Sequence, residues 1–133
     1  AASALAAITI SPIPQREGFL VRQALLDRFP EGSAARYTLD IRLDDDITGF
    51  GIRGDDAITR ERRTLRARWT LTEIETGQVI IDATSRSDAG IDVVSSDYAV
   101  VAAENTALER LSEEIAADIT QRIALRISQR AAR

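Results

Sequence analysis

The chain contains no cysteine, histidine, lysine or methionine in its 133 residues. Without cysteine there is neither a disulfide staple nor a thiol nucleophile. Without histidine and lysine, the commonest general base and the Schiff-base amine are missing too. Catalysis would have to rest on carboxylates, hydroxyls or a carboxylate-held metal, which weighs against an enzyme and leaves no catalytic residue to name. No run of about 18 apolar residues occurs, so no stretch reads as a membrane-spanning helix. All 17 positive charges are arginine, and 21 acidic residues outnumber them. A net charge of -4 is a poor match for nucleic acid, whose phosphates call for a basic surface.

What is present is alternation. Tyr37, Leu39, Ile41 and Leu43 alternate with Thr38, Asp40 and Arg42, the period of a half-buried strand. Leu65, Ala67, Trp69 and Leu71 do the same, and Val79, Ile81 and Ala83 continue the pattern. The loop Glu75-Thr76-Gly77 suits a short hairpin with Gly77 at positive φ. It sets Leu71 against Ile81 and Trp69 against Ala83. A second turn is expected at Arg53-Gly54-Asp55-Asp56, pairing Ile52 with Ala57. Phe50 and Ile52 are apolar at even positions, whereas the earlier apolar residues are odd. A β-bulge at Asp44–Asp46 would restore the parity, setting Leu43 opposite Leu65 and Leu39 opposite Trp69.

Ahead of this meander, residues 7–11 read as a short strand ended by Pro12 and Pro14. Arg16 to Phe29 reads as a helix. Behind the meander, Ser85 to Ile91 extends the last strand, and Ser95, Ser96 and Asp97 offer N-caps for a long helix from Tyr98 to about Gln129. Its stripe is Val101, Leu108, Leu111, Ile115, Ile119, Ile123 and Ile127. The expected fold is α+β, a single-layer, four-stranded, mostly antiparallel sheet with two helices on one face, in the order β-α-β-β-β-α. Residues 1–133 form one domain, with residues 1–6 as a frayed tail.

Two groups of residues carry candidate chemistry. Asp44-Asp45-Asp46 and Asp55-Asp56 lack the alternating spacing of a calcium loop and read as solvated turns; no metal site is expected. Gly49, Gly51 and Gly54 have dinucleotide-loop spacing without the following helix, so that reading fails. Phe50 and Ile52 are either core or an exposed apolar tip that docks on a partner. On the polar face, the expected register lines up Arg42, Arg66 and Arg86, with Arg68 one step along beside Asp40. Like charges directly opposite destabilise a sheet, so such a row is either neutralised by nearby aspartates or is a cradle for an anion.

The order and spacing of several short motifs resemble the LptE family of lipopolysaccharide-assembly lipoproteins, particularly its alphaproteobacterial branch. They are I-x-I-x-P-I-P at Ile8–Pro14, Arg22-x-x-Leu25, Tyr37-x-Leu39, Thr59-Arg60, Trp69-x-Leu71, Thr76-Gly77-x-Val79, and Tyr98-Ala99 with Ala107. The resemblance implies a periplasm-facing domain held at the outer membrane by a lipidated cysteine, expected upstream of residue 1. It implies a place inside the LptD β-barrel and a role in delivering lipopolysaccharide to the cell surface. The arginine cradle of Arg42, Arg66, Arg68 and Arg86 would then meet lipopolysaccharide phosphates, and Phe50 with Ile52 would meet the barrel. No cofactor is implied. An envelope module that binds protein alone, or a carboxylate-dependent hydrolase centred on Asp45, remains the alternative.

Overall fold

The computed structural model describes residues 5–30, 32, 34–52 and 58–132. Its elements are β1 (Ile8–Ile10), α1 (Gln15–Leu26), β2 (Tyr37–Ile52), β3 (Ile58–Glu73), β4 (Val79–Asp92) and α2 (Asp97–Ala131). The strands form one sheet in the order β1-β2-β3-β4. Only the β1–β2 pair is parallel. A parallel pair needs a crossover, and α1 supplies it. The fold is the α+β arrangement expected from the alternation.

The short motifs have local reasons. Pro12 and Pro14 end β1 after three residues, since neither can donate to a ladder. Arg22 then reaches back from α1 to donate to the Ile10 carbonyl at 2.8 Å, while Leu25, one turn on, is fully buried. α1 stops at Leu26 rather than Phe29, yet Phe29 stays buried because its N–H still reaches the Leu25 carbonyl at 3.0 Å. The side chain of Ser96 caps α2, accepting from the Ala99 N–H at 3.3 Å. Gly77 takes φ 73° in the β3–β4 turn.

The register from Tyr37↔Glu73 to Phe50↔Arg60 is unbroken, so the bulge expected at Asp44–Asp46 does not exist. Leu39 stands opposite Leu71, Ile41 opposite Trp69 and Leu43 opposite Ala67. Ile52 pairs with Ile58, not Ala57, and the turn residues Arg53 to Asp56 lie outside the described residues. Between β3 and β4 the register shifts, from Leu71↔Ile81 to Thr72↔Val79. It turns Ile80 inward as well. The expected bulge assumed that Phe50 must share the face of Leu39. It does not, because arginines cover it on the other side.

α2 lies across β3 and β4 and packs beside α1. Between helices and sheet sit Leu39, Leu65, Trp69, Leu71, Val21 and Leu25 with the α2 stripe from Leu108 to Ile127. Val101, expected to open that stripe, is 54% exposed; alanines 103 and 107 make the contact there instead. Leu5, within the stretch read as a tail, packs partly against the core.

Candidate anion-binding face

Because successive side chains of a strand alternate, the even-numbered residues of β2, β3 and, from Asp82 onward, β4 share the face that carries no helix. The ladder arranges them in rows. Asp40, Thr70 and Asp82 form one; Arg42, Arg68 and Thr84 the next; then Asp44, Arg66 and Arg86. Asp46, Thr64 and Asp88 follow, then Thr48, Arg62 and Gly90, and last Phe50, Arg60 and Asp92. Arg66 therefore does face Arg86. Arg42, expected in that row, stands one step away opposite Arg68, because the missing bulge shifts β2 by one pleat. Asp44 takes its place beside Arg66.

Six arginines and six aspartates lie in these rows, so the face is neutral as a whole. Several are paired. Arg68 places both Nε and Nη2 on the Oδ1 of Asp82, at 2.9 and 2.7 Å. Arg60 lies 3.6 Å from Asp92, and Arg86 lies 3.7 Å from Asp88. Among the described residues, Arg42, Arg62 and Arg66 have no carboxylate within ion-pair distance.

Two open depressions run along this face. One, of about 560 Å³, is lined by Asp44, Asp46, Thr48, Phe50, Arg62, Thr64, Arg66 and Arg86. The other, of about 570 Å³, brings together Arg42, Arg68, Asp40 and Asp82. The four arginines read from the sequence thus divide into two pairs, Arg66 with Arg86 and Arg42 with Arg68. Phe50 is 38% exposed and lies in the first depression, with the guanidinium carbons of Arg60 and Arg62 at 5.8 and 5.6 Å from its ring centroid. Cation–π contact explains why an aromatic is tolerated on a wet face. The side chain of Ile52 lies outside the described residues.

The helix-covered face holds a charged cluster that periodicity did not reveal. Arg63 donates from Nε and Nη2 to the two oxygens of Asp45 at 2.9 and 2.7 Å, and from Nη1 to the Glu104 carbonyl at 2.8 Å. The Asp45 hydrogen bond holds the guanidinium even more firmly protonated than usual. Asp45 is thereby committed on both oxygens and is not a free base. Among the described residues, no three acidic side chains are grouped to hold a metal. Glu61 meets Glu104 nearby; that hydrogen bond, then burial, then the charge of Glu104 raise the Glu61 pKa. The signal available in the sequence was a charge at an odd, core-facing position: Asp45 stands opposite Leu65, and Arg63 lies two residues along β3 on the same face.

The LptE family model, described as lipopolysaccharide-assembly, matches residues 5–123. No curated protein matches this chain. Among solved structures, a putative lipoprotein from Caulobacter crescentus superposes with TM-score 0.77 at 24% identity, covering 97% of this chain and 96% of that one. The rare lipoprotein B of Shewanella oneidensis gives TM-score 0.65 at 14% identity, covering 92% and 96%. A lipoprotein B from Nitrosomonas europaea gives 0.68 at 11%, covering 91% and 82%. At these identities the superpositions establish a shared fold. Among the described residues, no helix is long and apolar enough to cross a membrane.

Proposed function

This chain belongs to the LptE family of lipopolysaccharide-assembly proteins, and from that membership and its open face we propose that it binds lipopolysaccharide as the plug of an LptD-like outer-membrane barrel. A lipid anchor upstream of residue 1 would hold it on the periplasmic side. The observation that carries the ligand reading is Arg66 directly opposite Arg86 at the centre of an exposed face. Like charges facing each other across a ladder oppose folding, so their benefit is sought in a ligand. The planar fork of arginine grips phosphate oxygens two at a time, and lipopolysaccharide carries phosphates on its lipid A and inner-core end. Arg42 and Arg68, side by side in the second depression, extend the same chemistry along the sheet. Phe50, exposed in the first depression, is the proposed contact with the barrel, together with its neighbour Ile52.

The test is binding of purified lipopolysaccharide in buffers of rising salt. Arg66→Glu should remove most of the binding, and stripping phosphates from the ligand should have the same effect. The variant should remain folded, since on this exposed face it exchanges one like-charge neighbour, Arg86, for another, Asp44. A folded triple variant at Arg42, Arg66 and Arg86 that binds undiminished would rule the cradle out and leave a module that binds protein alone.

A further inference from the structure

The molecule contains two kinds of arginine–aspartate pair. The Arg63–Asp45 pair uses both carboxylate oxygens, and its side chains are only 11% and 15% exposed. It is also tied to the α2 backbone through the Glu104 carbonyl. Such a pair is a permanent clamp, because breaking it would strand a buried charge. The pairs on the open face are different. Arg68 grips a single oxygen of Asp82, with side chains 63% and 50% exposed. Arg86 and Asp88 sit at 3.7 Å, two residues apart on the same strand, 54% and 44% exposed. Exposed pairs of this sort contribute little to stability, so opening them costs little.

We propose that Asp82 and Asp88 are internal counter-ions that compete with a ligand's phosphate for Arg68 and Arg86, so that binding exchanges carboxylate for phosphate and release reverses the exchange. This rests on the ligand reading given above and concerns how that same face is regulated. A phosphate offers the two-oxygen geometry that Asp82 does not give Arg68, and it carries more charge. The equality of arginines and aspartates on the face removes the long-range field that would otherwise draw in any polyanion. Recognition is then decided at contact range, one carboxylate displaced for each arginine engaged. For a protein that must pass its ligand on, the displaced carboxylate is what pushes the ligand off again.

The experiment compares Asp82→Asn and Asp88→Asn with Asp27→Asn, which makes the same change of net charge at the end of α1. Affinity and dissociation rate are measured for lipopolysaccharide and for its dephosphorylated form. Each face variant should bind the intact ligand about two- to fivefold more tightly, the range set by an exposed ion pair, and release it more slowly. Asp27→Asn should match the wild type, and no gain should appear with the dephosphorylated ligand. Unchanged or weaker binding by the face variants overturns the proposal. So does an equal gain from Asp27→Asn, or a gain that survives dephosphorylation. In parallel, inorganic phosphate is titrated while the Arg68 Nε resonance is followed by NMR. A larger response in Asp82→Asn than in the wild type, with no lipopolysaccharide binding by either, would uphold the exchange and reject the lipopolysaccharide reading. No difference in that response would reject the exchange itself.

Discussion

Trp69 joins three elements through one side chain. Its ring is 1% exposed, between Ile41 and Ala83 in the ladder. Its Nε1 donates to Ser85 Oγ at 3.0 Å, and that hydroxyl donates in turn to Asp118 on α2. Arg122, one helical turn along, lies 5.7 Å from the ring centroid and donates to the Thr84 carbonyl at 3.0 Å. Trp69→Ala should cost roughly 3–5 kcal/mol in urea unfolding, from lost burial plus the cavity. The wild-type emission should be blue-shifted and resist iodide quenching; a freely quenched indole would contradict this placement. Glu61 gives a prediction of opposite sign. Its pKa is raised on folding, so the folded chain holds a proton that the unfolded chain releases, and stability falls as pH rises from the ordinary glutamate value through the raised one. One Glu61 oxygen is buried without a hydrogen-bond partner. Glu61→Gln should therefore raise the thermal midpoint at neutral pH, leave it nearly unchanged at pH 4, and flatten the slope between. A midpoint lowered at neutral pH would show that the carboxylate is needed there.

At the scale of elements, α1 is set closely against the segment that follows β1. A Cβ added to Gly18 would stand 2.4 Å from the Ile13 carbonyl oxygen, closer than any side chain tolerates. Gly18→Ala should lower stability by about 1–3 kcal/mol as overpacking, despite alanine's better helix propensity. Denaturant midpoints check this, and a stabilised variant would mean that the loop before α1 gives way easily. α2 is held by contrast along its whole buried stripe; its exposed pair Arg110–Glu114, at 3.8 Å, adds little, whereas Arg122–Asp118, at 3.5 Å, borders β4 through Thr84 and Ser85. Glu73 closes the end of the sheet that carries β1, 3.6 Å from Arg36 and 3.7 Å from Arg130, so the last turn of α2 is pinned to β3.

The whole molecule is one layer of helices on one layer of sheet, so half of the sheet's side chains have no cover. An uncovered face is free to be chemical, and here it carries arginine, aspartate and threonine with one aromatic at its far end. Phe50→Ser removes a ring already 38% exposed, so the thermal midpoint should move little. Co-purification with the barrel partner from outer membranes should weaken. A large fall in the midpoint, with assembly intact, would instead make Phe50 a structural residue whose role is to shield Arg60 and Arg62.

The sequence by itself determined the strands, the helices and the two hairpin partners of Trp69's end of the sheet, because period-two alternation and a three-residue turn ending in Gly77 leave one register open between β3 and β4. It also set Arg66 opposite Arg86 through that register. The β2–β3 register was decided by the tertiary structure. An apolar Phe50 at an even position reads as core in one dimension, and only the arginines stacked on it from β3 make a wet face acceptable. The same holds for Asp45, whose odd position looked like a solvated turn until Arg63 and the Glu104 carbonyl closed around it. Local pattern records which side of a strand a residue occupies; what that side meets depends on residues a strand or a helix away, and burial of a charge or exposure of a ring is settled there.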